Sequence, residues 1–260
     1  MAYKPNTAFY EAYGTKGWQA LTKTIQYLNE KYPEQFTIAD AKRGDIGNTA
    51  TRYAKAFFEE LKFDALTVAP YMGHDSVEPF LAFNDRHTIL LALTSNMGSA
   101  DFQSKPVGDK QLFQFVLETT LGYKNAQQLM YVVGATKADR LAEIRKMVPD
   151  NFLLVPGVGA QGGSLKDVCQ YGMNANVGLL VNSSRGIIYA SQTKSFAQAA
   201  AYKAQQLQQV MQEYLWSAKN TRFLRHNLPN LLVINHTKFS MAFLKAMALR
   251  SKKAPNEVPI

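Results

Sequence analysis

The sequence predicts an α/β fold, a (β/α)8 barrel of the TIM type, on three observations. Short apolar runs alternate along the chain with segments that have helical spacing. The runs lack in-and-out alternation, which is typical of parallel strands buried on both faces. Polar residues and glycines follow most of the runs. This last feature favours a barrel over an open doubly wound sheet, because all loops at the C-terminal face of a barrel converge on one site.

The predicted strands are six clear apolar runs and a seventh at the start of the chain. The six runs lie at residues 36–41, 65–70, 88–94, 129–135, 152–158 and 178–184. The seventh strand is predicted within MAYKPN, residues 1–6. A closed barrel of this type needs eight strands. We therefore expect a barrel that is one strand short of closure.

The predicted helices lie between these runs. Apolar residues three and four positions apart indicate three helices. Their members are Trp18, Leu21, Ile25 and Leu28, then Tyr53, Phe57 and Leu61, and then Leu141, Ile144 and Met147. Residues 195–215 are rich in Ala and Gln and predict a fourth helix. Strand followed by helix, repeated, is the pattern of βα units around a parallel sheet.

The net charge of +9 is concentrated at the C-terminal end of the chain. Eight of the 29 Lys and Arg residues follow position 215, but only one of the 20 Asp and Glu residues does. We interpret residues 1–215 as a nearly neutral barrel domain and residues 216–260 as a basic extension of unknown role. This distribution argues against a nucleic-acid-binding protein, because the barrel itself has little excess charge.

The basic extension has three alternative interpretations. Its apolar residues Phe239, Phe243, Leu244 and Met247 fall on one face of a possible helix. Such a helix could lie on an anionic membrane, pack into a gap in the barrel, or have no role. We do not expect it to contact a membrane.

The remaining composition indicates a cytoplasmic protein. The sequence has no run of 18 uncharged apolar residues, and its N-terminus has no apolar core of a signal peptide. Cys169 is the single cysteine, so an internal disulfide is excluded. We interpret Cys169 as a small buried apolar residue.

Charged residues cluster at the C-terminal end of the second predicted strand. Asp40 and Lys42 are two positions apart and would share one face of the strand. Asp45 lies just beyond them, and Lys4 follows the first strand. Carboxylates and ammonium groups in one pocket neutralise one another, and a lysine held charged in this way can donate a proton. The same spacing also fits an ordinary surface loop with salt bridges.

Glycine and arginine follow the last two predicted strands. PGVGAQGG, residues 156–163, has four glycines, and Arg185 follows the final strand. Glycine-rich backbone can approach an anion closely, and an arginine can bind a phosphate with two hydrogen bonds. The last two strands of TIM barrels frequently form a phosphate site. A flexible loop with a surface arginine is the alternative interpretation.

No metal or organic cofactor is predicted. Spacings typical of metal sites, such as HxH, HExxH and CxxC, do not occur in the sequence. We interpret the neighbouring His74 and Asp75 as structural or solvated residues. The nucleotide-binding pattern GxxxxGK[ST] does not occur either.

Five motifs in order resemble the orotidine 5′-phosphate decarboxylase family, in its bacterial second subgroup. DAKRGDIGNT, residues 40–49, matches the D-x-K-x-x-D-I-x-x-T pattern of that family. The others are PYMGHDSVEPF (70–80), LTSNMGS (93–99), VPGVGAQGG (155–163) and NSSRGIIYA (182–190). AYKPNTAFYE, residues 2–11, is similar to the second-strand segment of the family, and the likeness extends over about residues 2–215.

The resemblance implies a TIM-barrel homodimer that converts orotidine 5′-monophosphate to UMP and carbon dioxide without a cofactor. This reaction is the last step of de novo pyrimidine synthesis. Lys4, Asp40, Lys42 and Asp45 would form an alternating charge network. Lys42 would protonate C6 of the pyrimidine. Asp40 would orient Lys42 beside the scissile carboxylate, and Lys4 would contact the ribose.

The resemblance also implies further contacts with the substrate and between protomers. Asp45, Ile46 and Thr49 would reach into the neighbouring protomer's site. Ser95 would bind the pyrimidine, Pro156 would line the base pocket, and Gln161 and Arg185 would bind the phosphate. The first strand of the family, which ends in an aspartate that contacts the ribose, has no counterpart in the sequence. The resemblance therefore implies a barrel that lacks its first βα unit and is incomplete at its N-terminus.

Two other functions are compatible with the motifs. A sugar-phosphate lyase or decarboxylase of the same superfamily shares the D-x-K-x-x-D core and usually needs magnesium. A truncated barrel could instead be weakly active, or a non-catalytic binding protein whose basic extension carries the function.

Overall fold

The structure is a computed structural model that describes residues 2–159 and 162–220. Gln161 and most of the basic extension, including its predicted helical face, lie outside the described residues. None of the helices in the described ranges is long and apolar enough to cross a membrane.

The described residues contain nine strands, of which seven form the barrel and two form a small hairpin. The barrel strands are β1 (Ala2–Tyr3), β2 (Phe36–Arg43), β3 (Ala65–Val68), β4 (His87–Leu93), β7 (Leu129–Val133), β8 (Leu153–Pro156) and β9 (Leu179–Asn182). The hairpin strands are β5 (Pro106–Val107) and β6 (Lys110–Gln111), which pair antiparallel.

Helices connect the barrel strands. The α-helices are α1 (Ala8–Glu11), α2 (Gly14–Lys31), α3 (Gly47–Lys55), α4 (Glu78–Leu81), α5 (Ser99–Phe102), α6 (Leu112–Leu121), α7 (Ala138–Met147), α8 (Leu165–Gly172), α9 (Arg185–Ile188) and α10 (Phe196–Asn220). A π-helical turn, Ala56–Glu60, extends α3, and 3-10 turns occur at His74–Ser76, Ala126–Gln128 and Ala135–Lys137.

The seven barrel strands form one parallel sheet in the order β1-β2-β3-β4-β7-β8-β9. Ala2 is paired with Phe36 at one end of the sheet, and Leu154 is paired with Leu180 at the other. The predicted α/β barrel with seven strands, including the strand at the start of the chain, is confirmed. Among the described residues no pairing joins β9 to β1, so the seven-stranded barrel is not completely closed.

The two faces of the sheet have different surroundings. One face packs under the helices, for example through Leu66 and Tyr131. The other face forms a smaller apolar cluster made of strand residues, including Ile38 and Ala65. We identify this second face as the barrel lumen. Because side chains alternate along a strand, the residue two positions after Ile38 lies on the luminal face nearer the C-terminal mouth, and that residue is Asp40.

The predicted helix positions are mostly buried as expected. Leu21, Ile25 and Leu28 of α2 are completely buried, whereas Trp18 is 36% exposed and packs against the ring of Phe57. The predicted helix through Tyr53, Phe57 and Leu61 is in fact α3 followed by the π-helical turn. A π-turn holds one more residue than an α-turn. Phe57 and the adjacent Phe58 are both buried there.

Candidate active site

Three of the predicted charged residues meet at the C-terminal mouth of the barrel. The Nζ atom of Lys4 donates a hydrogen bond to Oδ2 of Asp40, and Nζ of Lys42 donates to Oδ1. The segment after β1 continues alongside β2, where the amide of Asp40 donates to the carbonyl of Pro5 at 3.0 Å. This pairing places Lys4 beside Asp40.

The three side chains differ in exposure. The side chains of Lys4 and Asp40 are each 11% exposed, whereas that of Lys42 is 50% exposed. Burial by itself would raise the pKa of the Asp40 carboxyl, but the charges and hydrogen bonds of Lys4 and Lys42 outweigh it. The pKa of Asp40 therefore lies below its ordinary value, and the carboxylate is ionised at neutral pH.

The backbone around Lys42 is irregular. The register between β2 and β3 shifts between Ala39 and Arg43, and Lys42 has a φ of +47°. Oγ1 of Thr67 accepts hydrogen bonds from the amides of Ala41 at 3.0 Å and Lys42 at 2.8 Å. Sequence reasoning did not identify Thr67, although it is a polar residue inside an apolar run.

Arg43 has partners of its own outside the Lys4–Asp40–Lys42 cluster. Its guanidinium forms an ion pair with Glu11 and donates to the carbonyl of Ala41 at 3.0 Å. It also lies 5.4 Å from the ring centre of Tyr53 and 5.3 Å from that of Phe57. Arg43 thereby ties the end of β2 to helices α1 and α3.

The predicted residues Asp45, Ile46 and Thr49 lie on an open surface next to this mouth. Oδ1 of Asp45 accepts a hydrogen bond from the amide of Ile46 at 2.8 Å. Within the described part of the chain, no salt bridge includes Asp45. Ile46 is 51% exposed, and Thr49 is exposed at the start of α3. The structure therefore brings Lys4, Asp40 and Lys42 together without Asp45.

Ser95 and Pro156 lie at the same end of the barrel. Ser95 follows β4 and packs tightly against Gly134, the residue directly after β7. A Cβ atom added to Gly134 would lie only 2.7 Å from Ser95. Pro156 is the last residue of β8 and is paired with Asn182 of β9. Both residues are partly buried.

The predicted phosphate-binding residues follow β8 and β9. Gly157, Gly159 and Gly162 have positive φ angles, a conformation that residues with a side chain rarely adopt. Arg185 is the first residue of α9 and is exposed, and none of the ion pairs among the described residues includes it. Gln161 lies outside the described residues, so its predicted role stays a prediction.

No obvious metal centre accompanies these groups in the part of the chain that the structure describes. Clusters of three or more His, Cys, Asp and Glu side chains that could hold a metal ion do not occur there. The cationic partners of Asp40 are both lysines, which are not typical metal ligands.

Known proteins share both the sequence and the fold. Residues 1–200 match the sequence model of the orotidine 5′-phosphate decarboxylase / HUMPS family. The orotidine 5′-phosphate decarboxylase of Christiangramia forsetii is 66% identical over 211 residues, which cover 81% of this chain and 78% of that protein. That of Flavobacterium johnsoniae is 65% identical over 215 residues, covering 83% and 79%.

A solved structure supports the same assignment. The OMP decarboxylase of Leishmania donovani superposes with a TM-score of 0.69 at 40% sequence identity, covering 76% of each chain. The predicted resemblance is thus confirmed in sequence and in architecture. The chain belongs to the orotidine 5′-phosphate decarboxylase / HUMPS family.

Proposed function

We propose that this protein decarboxylates orotidine 5′-monophosphate to UMP and carbon dioxide, the last step of de novo pyrimidine synthesis. The observation that carries the proposal is the Asp40 carboxylate held between the ammonium groups of Lys4 and Lys42 at the barrel mouth. The names of the close relatives favour this reaction over a sugar-phosphate lyase.

The chemistry needs a charged lysine next to the pyrimidine. When the bond from C6 to the carboxylate breaks, the electron pair stays on C6 in an orbital that is not conjugated with the ring. The Lys42 ammonium stabilises this charge as it develops, which is electrostatic preorganisation. It then transfers a proton to C6 and becomes a neutral amine, which regains a proton from water. Its half-exposed position leaves it accessible to the substrate.

Asp40 has two roles in this mechanism. Its lowered pKa keeps it anionic, so it accepts the hydrogen bond that orients the Lys42 ammonium. The same negative charge repels the substrate carboxylate, and this repulsion disappears when carbon dioxide leaves. Lys4 balances the charge of Asp40 and is proposed to contact the ribose.

The rest of the substrate would be held by residues at the ends of β4, β8 and β9. Ser95 and Pro156 are proposed to bind the pyrimidine. Arg185, Gln161 and the glycine-rich loop are proposed to bind the phosphate. Binding energy from a phosphate distant from C6 can be used to order the site for reaction.

We also propose that a second copy of the chain completes each site. Large apolar side chains are exposed in the segments that follow β2, β3 and β4, namely Ile46, Tyr71, Met97 and Phe102, and Met97 is 95% exposed. Exposed apolar groups of this size favour a protein interface. Asp45, Ile46 and Thr49 would then reach into the partner's site. The buried, unpaired Cys169 suits the reducing cytoplasm in which we place the enzyme.

The decarboxylase proposal is tested by the absorbance loss of orotidine 5′-monophosphate in the presence of EDTA. The parent chain should deplete the substrate, and Lys42→Ala should abolish turnover. The variant should still fold, because half of the Lys42 side chain is exposed and Asp40 keeps its contact with Lys4. Residual activity within about tenfold of the parent would remove Lys42 as the proton donor, since loss of the donor should cost far more.

The shared-site proposal is tested by mixing two inactive variants. Lys42→Ala and Asp45→Ala should each be inactive alone. An equal mixture that exchanges subunits should regain about a quarter of the parent activity, because half of the dimers carry one intact site. No recovery, with subunit exchange verified by mass spectrometry, would place Lys42 and Asp45 in the same protomer's site.

A further inference from the structure

Thr67 occupies a buried position directly under the charged cluster. It lies on β3 two positions after the luminal residue Ala65 and is 1% exposed. Most of the luminal cluster around it is apolar. A buried hydroxyl in such a place needs hydrogen-bond partners.

The Thr67 hydroxyl compensates for an irregularity in β2. The register between β2 and β3 shifts between Ala39 and Arg43, so the strands lose regular pairing there. The amides of Ala41 and Lys42 both donate to Oγ1 of Thr67, at 3.0 and 2.8 Å. The positive φ of Lys42 is unfavourable for a residue with a Cβ atom, and these two hydrogen bonds fix it.

The same hydroxyl is also close to the carboxylate that orients Lys42. Oγ1 of Thr67 lies 3.4 Å from Oδ1 of Asp40 and 3.4 Å from the carbonyl oxygen of Ala39. Oδ1 is the oxygen that accepts the hydrogen bond from Nζ of Lys42. One hydroxyl is therefore adjacent to both the backbone of Lys42 and the partner of its ammonium group.

We infer that Thr67 is a positioning residue for proton transfer, which holds the β2 irregularity in the form that directs the Lys42 ammonium toward C6. The inference rests on the proposed decarboxylase function. Thr67 does not touch the substrate in this account; it acts through Lys42 and Asp40. Its removal should therefore affect the chemical step more than substrate binding.

The test compares three variants. Thr67→Val keeps the shape and loses the hydroxyl, and Thr67→Ser keeps the hydroxyl. Thr88→Val is the matched control, because Thr88 is fully buried on the neighbouring strand β4 and its hydroxyl has no partner among the described residues. Turnover, KM and UMP affinity by calorimetry are measured for each. If Thr67→Val does not fold, Thr67→Ala is measured in its place.

Thr67→Val should lower kcat about 10- to 100-fold, because small displacements of a reacting group have effects of this size. UMP affinity should stay within about threefold of the parent, since the proposed phosphate and base contacts lie at or after the ends of β4, β8 and β9 and not on β3. Thr67→Ser should recover most of the turnover, and Thr88→Val should match the parent. An unchanged kcat for Thr67→Val, or an equal loss in Thr88→Val, would overturn the inference.

A second measurement does not depend on turnover. Amide hydrogen exchange at Ala41 and Lys42 should accelerate in Thr67→Val and not in Thr88→Val, because only the former loses the acceptor of those amides. Unchanged exchange would overturn the inference even in an active enzyme. An inactive parent with accelerated exchange in Thr67→Val would instead count against the decarboxylase proposal alone.

Discussion

The Asp40 carboxylate lies between two ammonium groups, and this placement determines how stability should vary with pH. Its folded-state pKa is lowered from the ordinary value of 3.8. The stabilisation that follows is therefore complete above the ordinary pKa and is lost as the pH falls through the lower folded-state pKa. At neutral pH the full contribution is present.

Asp40→Asn should reveal this contribution. The variant leaves the Lys4 ammonium, on a side chain only 11% exposed, without its counter-charge. We expect it to be less stable than the parent at neutral pH. The difference should shrink below about pH 4, where the unfolded parent takes up a proton at Asp40, and should be lost once the pH falls through the lower folded-state pKa. Thermal melts across this range measure the difference. Asp139→Asn, at a side chain that is 76% exposed, is the control and should follow the parent. A difference independent of pH would contradict the prediction.

Arg185 is expected to affect affinity for the phosphate. Arg185→Ala should weaken UMP binding about 10- to 100-fold, because a charge-assisted bidentate contact contributes about 1.5–3 kcal/mol. Calorimetry with UMP measures this loss, and uridine, which has no phosphate, should bind both proteins equally. Lys203→Ala on α10, an exposed cation, is the control. Unchanged UMP binding would remove Arg185 from the phosphate site.

At the scale of elements, patterns that are local in sequence were predicted correctly. The apolar runs predicted six of the seven barrel strands, because burial on both faces produces continuous apolar segments. The seventh, β1, was predicted within MAYKPN at the start of the chain. The hairpin of β5 and β6 was not predicted, since strands of two residues carry no periodicity. The π-helical turn after α3 was also missed, because one inserted residue leaves the helical spacing almost unchanged.

In the candidate site, too, features that depend on local sequence were predicted, whereas features that depend on strand register were not. The spacing of Asp40 and Lys42 predicted a shared face, and the resemblance added Lys4, which the pairing along β2 does bring to Asp40. The role of Thr67 could not be predicted, because it depends on the register between β2 and β3 and on a shift in that register. The assigned roles of Asp45, Ile46 and Thr49 stay predictions, since they depend on a second copy of the chain.

The packing of α2 on α1 gives a prediction at the scale of elements. A Cβ atom on Gly17 would lie 1.7 Å from the carbonyl oxygen of Tyr10. Gly17→Ala would gain up to about 1 kcal/mol in helix propensity, but overpacking costs about 1–3 kcal/mol. Because the obstacle is a backbone atom, the cost of overpacking should exceed the gain in helix propensity. We therefore expect Gly17→Ala to lower the free energy of unfolding measured in urea. Gly122→Ala, where the nearest atom is 3.4 Å away and φ is −82°, is the control. A Gly17→Ala variant at least as stable as the parent would show that α1 can move aside.

At the scale of the whole molecule, the order of the sheet determines where the barrel is weakest. The two end strands, β1 and β9, have two and four residues. Ala2 of β1 and Leu180 of β9 are partly buried against the luminal cluster. The short lengths of these strands limit their exposed backbone, which reduces edge-to-edge aggregation. Among the described residues, each of these two strands still has a paired neighbour on one side only.

A strand inserted between β9 and β1 should therefore stabilise the molecule and increase its activity. We expect that fusing a family-like first strand and helix ahead of Met1 raises both the melting temperature and kcat/KM of the 260-residue polypeptide. The reason is that a paired strand would cover Ala2 and Leu180 and fix the position of Lys4, which follows β1. A flexible Gly/Ser leader of equal length is the control and should change neither quantity.

Deletion of residues 221–260 tests whether the C-terminal extension occupies the position between β9 and β1. It should leave the circular dichroism spectrum of the barrel unchanged apart from the contribution of the lost residues. If the polypeptide already forms a stable, fully active dimer that the fusion does not improve, and the deletion abolishes folding, then the C-terminal extension occupies the space between β9 and β1.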